Sequence, residues 1–168
     1  MKDLLTQYHE LFLADIHKRL FEENFSRLRK CLLELSEADI WYRPNIHSNS
    51  VGNLTLHLVG NMRQWVISGL LGNPDVRERD KEFEEQGPLP TPHLLDLLDQ
   101  LEKELREGLA GITAEELVRV RPVQIYEENG ITILVHVTEH FSYHVGQITY
   151  FVKARKDMDM GYYAGQDL

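Results

Sequence analysis

The stretch that most constrains this chain runs from Ile131 to Arg155, ITILVHVTEHFSYHVGQITYFVKAR, where His136, His140 and His144 follow one another at intervals of four. Residues four apart on an α-helix lie on one face, a turn above each other, so HxxxH is a spacing at which two imidazoles can bind one cation. Two imidazoles do not complete a transition-metal site, and a third ligand has to come from elsewhere. Far upstream, His57 sits midway along a second apolar helical stretch, NLTLHLVGNMRQWVISGLL. A helical bundle in which His57 meets His140 and His144 is the arrangement these spacings suggest. The bland reading stays open beside it. A row of histidines on one helix also lines a polar seam, bonded to carbonyls or to Glu139 with no ion present, and a lone histidine on an apolar face is more often hydrogen-bonded core than ligand.

A length of 168 residues is that of one domain, 1–168, able to bury a core. The formal net charge of −9 argues against nucleic acid and anionic membranes as partners, because both are bound through clustered Lys and Arg. A small-molecule substrate is the expected partner. No apolar run approaches a membrane span, and MKDLLTQYHE lacks a basic region followed by an apolar core, so a cytoplasmic location is expected. The one cysteine, Cys31, excludes an internal disulfide framework and falls in an apolar helical pattern, which predicts core.

Hydrophobic periodicity divides the chain into four long helices. From Asp3 to Leu35 a stripe of Phe21, Phe25, Leu28, Leu32 and Leu35 recurs at steps of four and three. His9 and His17 lie eight apart on this helix and have no partner at i+4, so packing roles are expected for both. The polar loop NIHSNS then offers Ser48, Asn49 or Ser50 as cap for a second helix over about Val51 to Leu71, whose stripe includes Leu54, His57, Leu58, Asn61, Met62 and Trp65. The charged, proline-rich DVRERDKEFEEQGPLPTP reads as a solvated surface crossover; Arg77 and Arg79 would hold a substrate carboxylate if it folded inward. A third helix opens at Thr91-Pro92, with Thr91 as N-cap, and is expected to bury Leu94, Leu97, Leu98, Leu101 and Leu105. VRVRPVQIYEENGITI suggests a small hairpin with Asn129-Gly130 as a turn, and the fourth helix starts near Thr132. The fold class is therefore all-α, a four-helix bundle with long connections.

Neutral imidazoles donate lone pairs to divalent transition metals, and three such ligands leave a position open for water or substrate. A bound water there loses protons more readily and a thiol is held as thiolate, so both hydrolysis and thiol transfer are chemically available. Asn61, one turn beyond His57, can bond a ligand or simply the backbone.

Three segments carry a family resemblance: NLTLHLVGNMRQW, LSEADIWYRP and HVTEHFSYHVGQITYF. Together they resemble the DinB-like (DinB/YfiT) superfamily of metal-dependent enzymes over nearly the whole chain. The resemblance implies an up-down-down-up four-helix bundle, often a homodimer, holding a divalent ion such as zinc or nickel on three histidines. The matching residues are His57, His140 and His144, with His136 and Gln147 of the Gly-Gln pair as neighbours. It further implies S-transfer or isomerisation with a low-molecular-weight thiol as the best-attested chemistry, with metal-dependent hydrolysis, or a non-catalytic bundle that binds a ligand or partner, as alternatives. The sequence departs from the pattern at Val145, where several relatives carry Arg before Gly-Gln, and this puts an anion-binding role at that position in doubt.

Overall fold

The computed structural model of the chain describes residues 3–166. The first helix, α1, covers residues 4–34 without a break: α-helical over Leu4–His17, wider π turns over Lys18–Phe25, and α-helical again over Ser26–Glu34. Asp3 caps it by accepting the Thr6 amide. Ser36 caps the short α2, Glu37–Ile40. The second long helix, α3, joins Val51–Met62 to π turns over Arg63–Leu70. Of the three caps the sequence offered it, Ser50 is the one used, in a reciprocal box with Asn53. The crossover carries α4, Arg79–Glu84, and α5 follows over Thr91–Leu109. Pro90 rather than Thr91 occupies the N-cap of α5, and Thr91 is already helical. After α6, Ala114–Val118, comes a two-stranded antiparallel hairpin of β1, Val120–Val123, and β2, Tyr126–Asn129.

The hairpin is real but turns elsewhere than the sequence suggested. Val123 pairs with Tyr126, so Gln124-Ile125 form the turn, with Gln124 in the left-handed region at φ 56°. Asn129 is freed to do something else: its side chain accepts the Thr132 amide and caps α7, Gly130–Lys156, which therefore starts two residues earlier than expected. Lys153, Arg155 and Lys156 occupy its last turn, where cations suit the dipole.

Contacts between named residues fix the helix directions. Phe25 meets Phe141 edge-on at 4.9 Å and Cys31 lies near Thr149, so α1 and α7 run together. His57 faces His144 while Trp65 faces His136, so α3 runs against α7. Arg63 bonds Glu104 and Leu71 abuts Gly108, which makes α3 and α5 parallel. Arg29 bonds Asp99 and His17 contacts Arg106, which sets α5 against α1. The order is up-down-down-up. The stripes read from sequence meet at the centre, where Phe25, Leu28, Leu32, Leu58, Met62, Leu98, Leu101, Leu105 and Phe141 are fully buried. Cys31 is buried with them. Among the described residues no helix is long and apolar enough to cross a membrane.

Candidate metal centre

Because α3 and α7 run antiparallel, the turn of α3 that carries His57 lies against the turn of α7 that carries His140 and His144. The ring centroids are 5.0 Å apart for His57 and His140, 5.2 Å for His57 and His144, and 4.6 Å for His140 and His144. His57 is buried and the other two are half-buried. Among the described residues these three form the one group of His, Cys, Asp or Glu side chains that can hold a metal ion, one ligand atom from each lying within 4.8 Å of the others.

The donors fit such an ion on two counts. A tetrahedral ion with nitrogens at 2.0–2.1 Å holds any two of them about 3.3 Å apart. His57 Nε2 and His140 Nε2 face each other at 3.2 Å. Two neutral ring nitrogens at that distance either share one proton or share a cation. Burial, followed by the charges of His144, His57, His136 and Arg77, pushes His140 down to about 3, so it stays neutral and keeps a lone pair at physiological pH. Burial also lowers His144, against the opposing bond to Gln147 and with a further push from His57. The His144 Nδ1 lies 2.7 Å from Gln147 Oε1, an acceptor, so Nδ1 carries the proton and Nε2 the lone pair.

The crossover does not stay on the surface. It folds inward over His57 and brings Arg77 and Glu82 with it. Arg77 grips both oxygens of Glu82, Nε to Oε1 at 2.7 Å and Nη2 to Oε2 at 2.8 Å, and Nη1 donates to Gln64 Oε1 at 2.9 Å. Glu82 Oε2 lies 3.0 Å from His57 Nδ1. Burial alone would raise the Glu82 carboxyl, but the bonds and charges of Arg77 and His57 reverse that and hold it below the usual value. Phe83 packs its ring 4.9 Å from that of His57. Both arginines border a cavity, but Arg77 is engaged by Glu82 and Gln64, whereas the Arg79 guanidinium lies over the Phe83 ring at 5.0 Å.

That cavity, of about 370 Å³, has His57 and His140 in its wall, together with Asn61, Trp65, Tyr126, Glu128 and His136. His136 does not join the three-His group; it packs on Trp65, ring centroids 4.0 Å apart, with burial holding its pKa low. Asn61 Oδ1 and Trp65 Nε1 are buried there without a hydrogen-bond partner. A separate cavity of about 540 Å³ reaches His144 and Gln147 and is lined by Tyr42, Leu54, Tyr143 and Phe151. Glu139 is exposed, and so are His47 and His93. His9 bonds the Ile112 carbonyl at 3.0 Å, a packing role as expected.

Sequence reasoning missed Glu82, which lay in a charge run that reads as solvated. One signal was available. Gly60 sits inside the second helix, where glycine costs about 1 kcal/mol against alanine, and a close approach is the usual reason. A Cβ there would lie 2.0 Å from Glu82 Oε1.

A comparison with curated proteins finds no match. Among solved structures the chain is similar to the DinB-like protein YjoA of Bacillus subtilis, with a TM-score of 0.69 at 16% identity, covering 91% of this chain and 99% of that one. It is similar also to a DinB-like protein of Bacillus cereus, with a TM-score of 0.66 at 17% identity, over 90% of this chain and 94% of that one. At such identities the likeness speaks for the fold, and it bears out the resemblance read from the histidine segments. A family model described as a protein of unknown function, DUF1572, matches residues 7–163. The chain folds as a DinB-like helical bundle and belongs to the DUF1572 family.

Proposed function

We propose that the chain, as a single domain, is a divalent-metal-dependent enzyme of the thiol-transferase kind, with His57, His140 and His144 as ligands of a zinc or nickel ion. The observation that carries this reading is the convergence of three imidazoles, two of which, His57 and His140, stand in the wall of a cavity large enough for a small molecule. When bound, such an ion supplies a Lewis-acidic open position at which a thiol is held as thiolate or a water is made more acidic.

The surrounding residues support transfer over hydrolysis, because two separate cavities border the rings, one at His57 and His140 and one at His144. The polar cavity, with Arg79 and Glu128 of opposite charge, suits a small zwitterionic thiol. The aromatic cavity beside His144 suits a less polar electrophile. Asn61 and His136 would contact the first ligand, and Gln147 would orient His144. The crossover over His57 screens one side of the rings from water. A cytoplasmic homodimer acting on small molecules completes the proposal.

Elemental analysis of protein purified without an affinity tag tests it: near-stoichiometric metal that is lost in His57→Ala is the expected result, and metal-free wild type that does not take up added zinc, nickel or cobalt sinks it. Turnover of an electrophilic dye only when a thiol is added identifies transfer; turnover of ester substrates without thiol identifies hydrolysis instead.

A further inference from the structure

We propose that the Arg77–Glu82 pair is the positioning device of this centre: Glu82 accepts the Nδ1 proton of His57, which leaves the Nε2 lone pair directed at His140 and His144, and Arg77 fixes the carboxylate from behind. The inference rests on the reading of the three histidines as ligands.

His57 Nδ1 has two polar neighbours of opposite kind. It lies 3.0 Å from Glu82 Oε2, which only accepts, and 3.1 Å from Arg77 Nη2, which only donates. The conflict is resolved by the shorter contacts around it. Arg77 Nη2 already donates to Glu82 Oε2 at 2.8 Å, so it needs nothing from His57. An unprotonated Nδ1, by contrast, would set its lone pair against a buried carboxylate. The proton therefore belongs on Nδ1, in a charge-assisted bond, and Nε2 is the free donor 3.2 Å from His140 Nε2.

The carboxylate is held too firmly to be an incidental neighbour. Arg77 and Glu82 side chains are 4% and 9% exposed and paired through both oxygens. The backbone of α4 and its C-cap is tied down from two places: Asn53 Nδ2, on α3, donates to the carbonyls of Glu82 at 2.9 Å and Glu85 at 2.7 Å, and Arg43, in the loop before α3, donates to that of Phe83 at 2.7 Å. Gly60 supplies the space, since a Cβ would meet Glu82 Oε1 at 2.0 Å and Arg77 Nε at 3.1 Å. Asn53, Gly60 and His57 lie on the same helix, so one element carries the ligand, its orienting carboxylate's anchor and the gap that lets the carboxylate in.

The test uses full-length protein stripped with chelator, as wild type, Glu82→Gln and Gly60→Ala. Two readouts are taken: nitrogen-15 shifts of the His57 ring in the metal-free state, which report the tautomer, and the zinc dissociation constant by calorimetry. Glu82→Gln is expected to weaken zinc binding about 10- to 100-fold and to lose the single Nδ1-protonated tautomer. Gly60→Ala, which removes no polar group, is expected to act in the same direction by displacing the carboxylate. Wild-type tautomer and affinity in both variants overturn the inference and leave the metal centre standing. Wild type that binds none of zinc, nickel and cobalt overturns both.

Discussion

Replacing Arg77 with alanine isolates what the buried pair does for the fold. The guanidinium makes three donor bonds, two to Glu82 and one to Gln64, from a side chain only 4% exposed. Its loss leaves the Glu82 carboxylate, 9% exposed, with His57 Nδ1 as its one remaining side-chain partner. Breaking a buried pair by removing one member typically costs about 3–5 kcal/mol, most of it the stranded charge. The surviving bond to His57 puts this case at the low end, about 3 kcal/mol. For a domain of this length that corresponds to a fall in Tm of about 6–12 °C. Urea unfolding in the presence of chelator, followed by circular dichroism, measures it without any contribution from metal. If the stranded charge is the cause, Arg77→Ala combined with Glu82→Gln recovers more than half of the loss, a coupling of at least about 1.5 kcal/mol. A loss below about 1 kcal/mol, or a strictly additive double variant, would refute this account and imply that the crossover is only loosely docked.

Two further outcomes follow from other parts of the molecule. Removing metal from protein held at about 100 times its dissociation constant is expected to cost about 2.7 kcal/mol, seen as a fall in Tm of about 5–11 °C, and His57→Ala is expected to show no such difference with and without chelator. Asp39 ties α2 to the end of α7; the bond from Arg155, then that from Ser36, hold its carboxyl below the ordinary value of 3.8. Its contribution is present above pH 3.8 and lost as pH falls through the lower folded value, so Asp39→Asn is expected to flatten the acid limb of a plot of urea midpoint against pH.

The sequence yielded the long helices because each depends on a local pattern. The stripe of Phe21, Phe25, Leu28 and Leu32 is buried as its 3.6-residue period demands, and Ser50 and Thr113 cap where small polar side chains precede helical runs. The histidine pair at i, i+4 was legible for the same reason. What was illegible depended on partners remote in the chain. Nothing local tells Asn129 to cap a helix rather than to turn a hairpin; that is decided by β1 pairing Val123 with Tyr126. The π turns at Lys18–Phe25 and Arg63–Leu70 likewise leave no mark in composition. Glu82 looked like one acid among many in DKEFEEQ, and only the gap at Gly60 on another helix makes it a buried one.

The departure at Val145 bears on where an anionic ligand would be held. Val145 is 3% exposed, packed in the core, so a cation is not simply missing from the site: this position of the fourth helix faces inward and carries packing. A carboxylate arriving at the three rings then has two arginines within reach along the crossover, and they are not equivalent. Arg77 is committed to Glu82 and Gln64, whereas Arg79 spends its guanidinium on the Phe83 ring and borders the polar cavity. A hydrogen bond to a charged group contributes about 1.5–3 kcal/mol when sheltered, and the exposed side of Arg79 argues for the lower figure, about a tenfold change in affinity. Arg79→Ala is therefore expected to raise KM for a carboxylate-bearing thiol about tenfold with little change in kcat, and to leave KM for an uncharged thiol as in wild type. An unchanged KM for both thiols would remove Arg79 from the binding surface, and an equal rise for both would make its role one of holding Phe83 against His57 rather than of meeting charge.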